Sequence, residues 1–189
     1  MPAVGLFWDN PWETSIIEVL EEWRILSFSA KWLKGEQETY INHKTDEKLV
    51  RRIWKLLDQA DIVIGQNIDR FDIRKINARF LFYKLPPPSP YRTIDTLKIS
   101  RKKFALLSHK QDDISRFTGN PRKIETNKRL WLECRAGKKS ALQEMVRYNA
   151  QDVIGLEKNY LTFLPWISNH PNLGMWIDKT VCLSANQAT

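Results

Sequence analysis

At 189 residues, with 42% hydrophobic and 28% charged positions, the chain suits one globular domain with a sizeable core. No apolar run approaches the roughly 18 residues of a membrane span, and no basic and then apolar leader of a secretory signal opens the chain. Cys134 and Cys182 stand far apart without metal-ligand spacing, which predicts reduced thiols, a cytoplasmic setting and no zinc. The net charge of +8 is uneven: residues 98–139 hold 13 Lys or Arg against 4 Asp or Glu, and the remainder holds 17 against 18. Such a basic segment either keeps a surface soluble or draws in a polyanion through phosphate contacts, and its clustering favours nucleic acid.

Residues 4–8 predict a strand, Asp9-Asn10-Pro11 a turn, and residues 16–20 a second short strand or a turn of helix. The nearly continuous apolar character of residues 25–32 reads as a strand buried on both faces. Gly35 marks a turn, after which residues 38–42 return as an alternating strand. Asp46 is placed to cap a helix reaching about Gln59, with Leu49, Ile53, Trp54 and Leu57 inward.

The stretch 61–72 organises the chain. Ile62 to Ile64 is the short apolar run of a buried strand. Gly65-Gln66-Asn67 breaks it, and Asp69 opens a helical pattern through Phe71, Ile76, Phe80 and Leu81. Asp72 therefore falls in the first turn of a helix leaving a strand end, where open α/β sheets bind ligands. Taken alone, its carboxylate need only complement the helix dipole.

The proline-rich residues 85–90 stop that helix and read as an extended loop rather than a partner motif. A short strand leads into a helix over 97–104, with Asp95 as its cap. A further helix spans 108–118 and closes at Gly119-Asn120-Pro121. Residues 122–135 then form a mobile basic connection, in which Trp131 reads as core rather than as a base-stacking ring. A long helix over 138–164 buries Leu142, Met145, Val146, Val153, Leu156 and Tyr160. Tyr148 and Asp152 lie four apart on it and share a face. A phenol beside a carboxylate can hold and polarise a metal-bound water, although singly each suits a core edge or a solvated position. Pro165 closes the helix, and residues from 169 onward read as a tail, giving a domain over 1–168.

Asn67-x3-Phe71-Asp72 and Tyr148-x3-Asp152 together resemble the second and third motifs of the DEDD proofreading-type 3′–5′ exonucleases, in their tyrosine subgroup. Segments 25–32, 86–91 and 93–98 are similar to the bacterial and phage branch of RNase H-like exonucleases. The resemblance covers roughly residues 4–175. It implies an α/β fold, an RNase H-like mixed sheet flanked by helices. It also implies two divalent ions, Mg²⁺ or Mn²⁺, that activate water and stabilise charge on a scissile phosphate. On this resemblance Asp72 and Asp152 are metal ligands and Tyr148 orients the attacking water. Asn67, Phe71 and Lys110 face a substrate with single-stranded 3′ ends, DNA or RNA.

The family's remaining acids form an Asp-x-Glu on a first strand, where i and i+2 share a face. No such pair precedes residue 60. Asp9 and Glu13 are the nearest acids, but in a strand they would lie about 13 Å apart at ~3.3 Å per residue. Pro11 between them also opposes regular structure. The first strand is therefore expected to be missing, as in a fragment, a split gene or a decayed copy. The sheet would then carry a gap or exposed edge that a partner chain can fill. Activity would depend on that partner, on Asp9 and Glu13, or on an auxiliary role for Asp95. The alternatives are a non-catalytic nucleic-acid-binding module and a structural or interaction subunit.

Overall fold

The structure is a computed structural model that describes residues 4–7, 16–21, 23–168, 170 and 180–184. The elements are β1 (Val4–Phe7), β2 (Ile16–Glu21), β3 (Ser27–Trp32), β4 (Gln37–Ile41), α1 (Glu47–Gln59), β5 (Ile62–Gly65) and α2 (Asp72–Phe82). They continue with β6 (Arg92–Asp95), α3 (Thr96–Lys103), α4 (Gln111–Thr118), α5 (Lys128–Arg135), α6 (Lys139–Phe163), a 3-10 turn (Leu164–Trp166) and β7 (Thr180–Ser184). β1 and β2 pair antiparallel as a sheet of their own. The main sheet runs β4-β3-β7-β5-β6, antiparallel through β3 and parallel from β7 to β6.

That order corrects two expectations. The segment read as a tail supplies β7, and β7 sits between β3 and β5, so the main sheet has no gap. The basic connection over 122–135 is helical in its second half, where the Asn127 side chain caps α5 by accepting from the Leu130 amide. Trp131 packs at the edge of an apolar cluster formed by Leu26, Leu130, Cys134, Ala141 and Met145.

β5 divides the core because successive strand side chains face opposite ways. Val63 joins Ile25, Phe28 and Ala30 under α1 and α2, whereas Ile62 and Ile64 join Ile94, Val153, Leu156 and Tyr160 of the α6 side. α1 turns Leu49, Val50, Ile53, Leu56 and Leu57 inward, at the spacing of one helix face. Along α2, Ile76 and Phe80 are buried, but Leu81 projects to solvent.

Asp46 stands at the N-cap position of α1 as expected, but its side chain makes no capping hydrogen bond there. Its buried carboxylate instead accepts from Arg79 Nε and Nη2, both at 2.7 Å, from the Tyr83 hydroxyl at 2.6 Å and from the Ile25 amide at 2.9 Å. Burial opposes the charged form, but these donors outweigh it and hold the Asp46 carboxyl below its ordinary pKa. The cluster ties α2 to the segment entering β3 and so fixes the helix that begins at Asp72. The proline-rich loop is extended and pinned to α1, with Trp54 Nε1 donating to Pro86 O and Ser89 bonded to Asp58.

Candidate functional site

The chain leaves β5 through a tight corner. A Cβ on Gly65 would meet Ile68 Cβ at 2.6 Å, so only glycine lets the buried Ile68 fold back over the strand end. Asn67 follows with φ of 60°, a left-handed conformation that Asn tolerates better than most residues. Its amide donates to Asp95 Oδ1 at 2.8 Å, and the same oxygen accepts from Leu97 N at 3.0 Å. Asp95 thus caps α3, as expected, and also joins the ends of the parallel strands β5 and β6. Thr96 Oγ1 donates to Gly65 O, and Gln66 Nε2 donates to His109 O, drawing the segment before α4 against the corner.

Residues 68–71 are turns, and α2 starts at Asp72 rather than at Asp69. Asp69 pairs with Lys98 at 2.6 Å. Phe71 is half-buried, with the Lys75 ammonium 5.6 Å from its ring centre. Asp72 is buried as the first residue of α2, where the helix dipole favours a carboxylate.

α6 carries the second group. Asp152 is 0% exposed, in the same helix as Val153 and Leu156, which pack on the sheet. Polar anchors hold its register: Gln37 Nε2 donates to Ala150 O, Gln111 Nε2 to Asp152 O, and Lys31 Nζ to Glu157 at 2.7 Å. Gly155 lets the α4–α5 loop come close, since a Cβ there would stand 3.0 Å from Pro121 O. That approach brings Lys123 Nζ to 3.1 Å from Asp152 Oδ2 and 5.9 Å from the Tyr148 ring centre. Burial would lower the Lys123 pKa, but the Asp152 and Tyr148 charges outweigh it and hold the ammonium above its ordinary value. Burial, followed by the Asp152 charge, pushes the Tyr148 phenol up.

A cleft of about 630 Å³ lies beside Lys123 and is lined also by Gln66, Arg101, His109, Lys110 and Asp112. Lys110, exposed at the start of α4, faces the same cleft as the end of β5. Asp112 is held by Arg122, whose bonds are the main cause of its lowered pKa, so the cations dominate the lining. The structure thus gathers Tyr148, Asp152 and Lys123 on one side, and Asn67, Asp95 and Gln66 on the other, with the cleft touching both groups.

The model of an RNase H superfamily family matches residues 22–162, from just before β3 to the last turn of α6. The chain belongs to the RNase H superfamily. No curated protein matches it. Membership agrees with the mixed sheet flanked by helices, and it assigns a nuclease-type fold suited to nucleic acid. Among the described residues, no helix is long and apolar enough to cross a membrane.

Nucleases of this superfamily generally use divalent metals. Asp72 and Asp152 carry carboxylate oxygens, hard donors of the kind that Mg²⁺ and Mn²⁺ accept. Among the described residues, no three His, Cys, Asp or Glu side chains cluster into a group that could hold a metal ion. Asp9 and Glu13 lie outside the described residues. Sequence reasoning missed Lys123 as a partner of Asp152. The basic segment flagged its region, but only the loop packing on Gly155 singles it out.

Proposed function

We propose that this protein is a metal-dependent 3′–5′ exonuclease-type phosphodiesterase of the DEDD kind, in the tyrosine subgroup, acting on single-stranded ends of DNA or RNA. The observation that carries the reading is Asp152. Its carboxylate has no solvent exposure in a helix that packs Val153, Leu156 and Tyr160 on the sheet, one turn from Tyr148 and beside a basic cleft. Burying a charge is costly unless a partner compensates it, and here the compensation comes from Lys123, on a loop that also lines the cleft, where perturbed charged groups of functional sites gather.

Asp72 and Asp152 would hold the hard divalent ion. When bound, it supplies a water of lowered pKa and positive charge for the phosphate. Tyr148, with its pKa raised, keeps its proton at neutral pH and offers a hydroxyl to orient that water. Asn67, Phe71 and Lys110 would contact the strand, with Lys110 and Arg101 neutralising its phosphates. Further acids would come from Asp9 and Glu13, from a partner chain, or from Asp95, whose Oδ1 caps α3 while its buried Oδ2 accepts no hydrogen bond among the described residues. Cys134 is buried, and burial pushes its thiol up to about 11, in keeping with an unreactive structural cysteine.

One observation favours a second reading, a nucleic-acid-binding module without hydrolysis: Asp152 is already paired with a lysine, and no third acid joins it among the described residues. Incubating a 5′-labelled single strand with Mn²⁺ or with EDTA, beside Asp152→Asn, separates the two. The exonuclease reading expects a ladder shortening from the 3′ end that needs both metal and Asp152. Retained strand binding without cleavage would replace it with the binding module.

A further inference from the structure

We propose that the single strand runs on from the cleft across the end of α3 and stacks a base on Trp166. The last turn of α3 and the end of α6 then form a second nucleic-acid contact. The inference rests on the reading of the cleft as a single-strand site and involves no metal ion.

Residues 96–110 hold five Lys or Arg and no Asp or Glu. Arg101, Lys102 and Lys103 close α3; all three are exposed, and none forms an ion pair among the described residues. The surface arginines that follow are neutralised, Arg116 by Asp113 and Arg122 by Asp112. Cations in a last turn complement the helix dipole. Three of them left without counter-ions go beyond that need and suit a polyanion. Arg101 also lines the cleft, so the run starts where strand phosphates are proposed to lie.

An aromatic surface adjoins the run. Phe104, the residue after α3, packs its ring 5.1 Å from that of Phe163. It meets Trp166 at 5.4 Å with the ring planes 75° apart. Phe163 is buried at the end of α6, so the indole is held in place through Phe104. Trp166 is nevertheless 56% exposed. A positioned indole beside unpaired cations has the composition of a single-strand platform, where bases lie on rings and cations track phosphates. Nucleic acid brings an anion and a flat apolar face in every unit, which matches both halves of the patch. Cleft and platform are also tied together, since Ser100 Oγ and His109 Nδ1 stand 2.6 Å apart and draw the segment after Phe104 back onto α3.

Fluorescence anisotropy with labelled single strands of about 4 and about 12 nucleotides, in EDTA, tests the path. Trp166→Ala is expected to weaken the long strand roughly tenfold, as loss of one stacked base does, and to leave the short one unchanged. Lys102→Gln with Lys103→Gln should lower the slope of log K against log salt by about one for the long strand alone. That pair changes only exposed side chains and carries the test should Trp166→Ala fail to fold. Unchanged long-strand binding in folded variants, or equal losses on both lengths, would overturn the proposal. So would a self-association that Trp166→Ala abolishes while strand binding stays, which makes the patch a protein contact. Long-strand binding that needs Trp166 but ignores Lys110 sinks the cleft reading and keeps the platform; dependence on Lys110 alone does the reverse.

Discussion

Replacing Asp46 with Asn keeps the shape of the side chain and removes its charge, leaving Arg79 only 7% exposed without its counter-ion. Breaking a buried pair by removing one partner costs about 3–5 kcal/mol, because the remaining charge stays desolvated. For a domain of this size each kcal/mol moves the melting temperature by about 2–4 °C, so Asp46→Asn is expected to melt roughly 6–20 °C below wild type at neutral pH. The direction with pH follows from linkage. The folded pKa of Asp46 lies below its ordinary value of 3.8, so its contribution is present above that value and is lost as pH falls through the depressed folded pKa. The gap between wild type and variant should therefore be widest near neutrality and close under strong acid. Urea unfolding followed by tryptophan fluorescence at several pH values reads both quantities. A neutral-pH difference below about 1 kcal/mol, the size of an ordinary surface pair, would refute the assignment of Asp46 as the lock on α2.

Three further outcomes are expected around the site. Gly65→Ala sets a Cβ 2.6 Å from Ile68 and should destabilise the fold by about 1–3 kcal/mol in thermal melts, as overpacking does. At Asn67, with φ of 60°, Gly should be nearly neutral, whereas Val should cost about 1–3 kcal/mol by the same measurement. Lys110→Ala should weaken single-strand binding uniformly across sequences and lower the slope of log K against log salt by about one, measured by fluorescence anisotropy. An unchanged slope would remove Lys110 from the phosphate path.

The parts of the fold legible in the sequence are those set by local pattern. The run Ile62 to Ile64 broken by Gly65 announced β5 and its corner, and a 3.6-residue periodicity announced α6, because both signals sit within a short window. β7 carried no comparable signal. Thr180–Ser184 is five residues long, and its strand character comes from β3 and β5, more than a hundred residues away. α5 was obscured because Lys128, Arg129 and Arg135 read as a basic connection, although Asn127 stood at the capping position. At the site, Asp72 and the Tyr148–Asp152 pair could be nominated from spacing. The partner of Asp152 could not, since Lys123 reaches it through a loop whose path depends on a missing Cβ at Gly155.

The placement of β7 also orders events during synthesis. A ribosome adds residues at about 5–20 per second, and the emerging chain folds from its N-terminal side. β3, β5 and β6 are all made well before residues 180–184, so until those residues appear the strands on either side of β7 present unpaired backbone to their surroundings. Bare strand edges recruit chaperones and other nascent chains alike. For a protein whose proposed chemistry lies at the end of β5, β7 therefore acts as a timing element: the sheet beneath the site closes only after residues 180–184 have emerged.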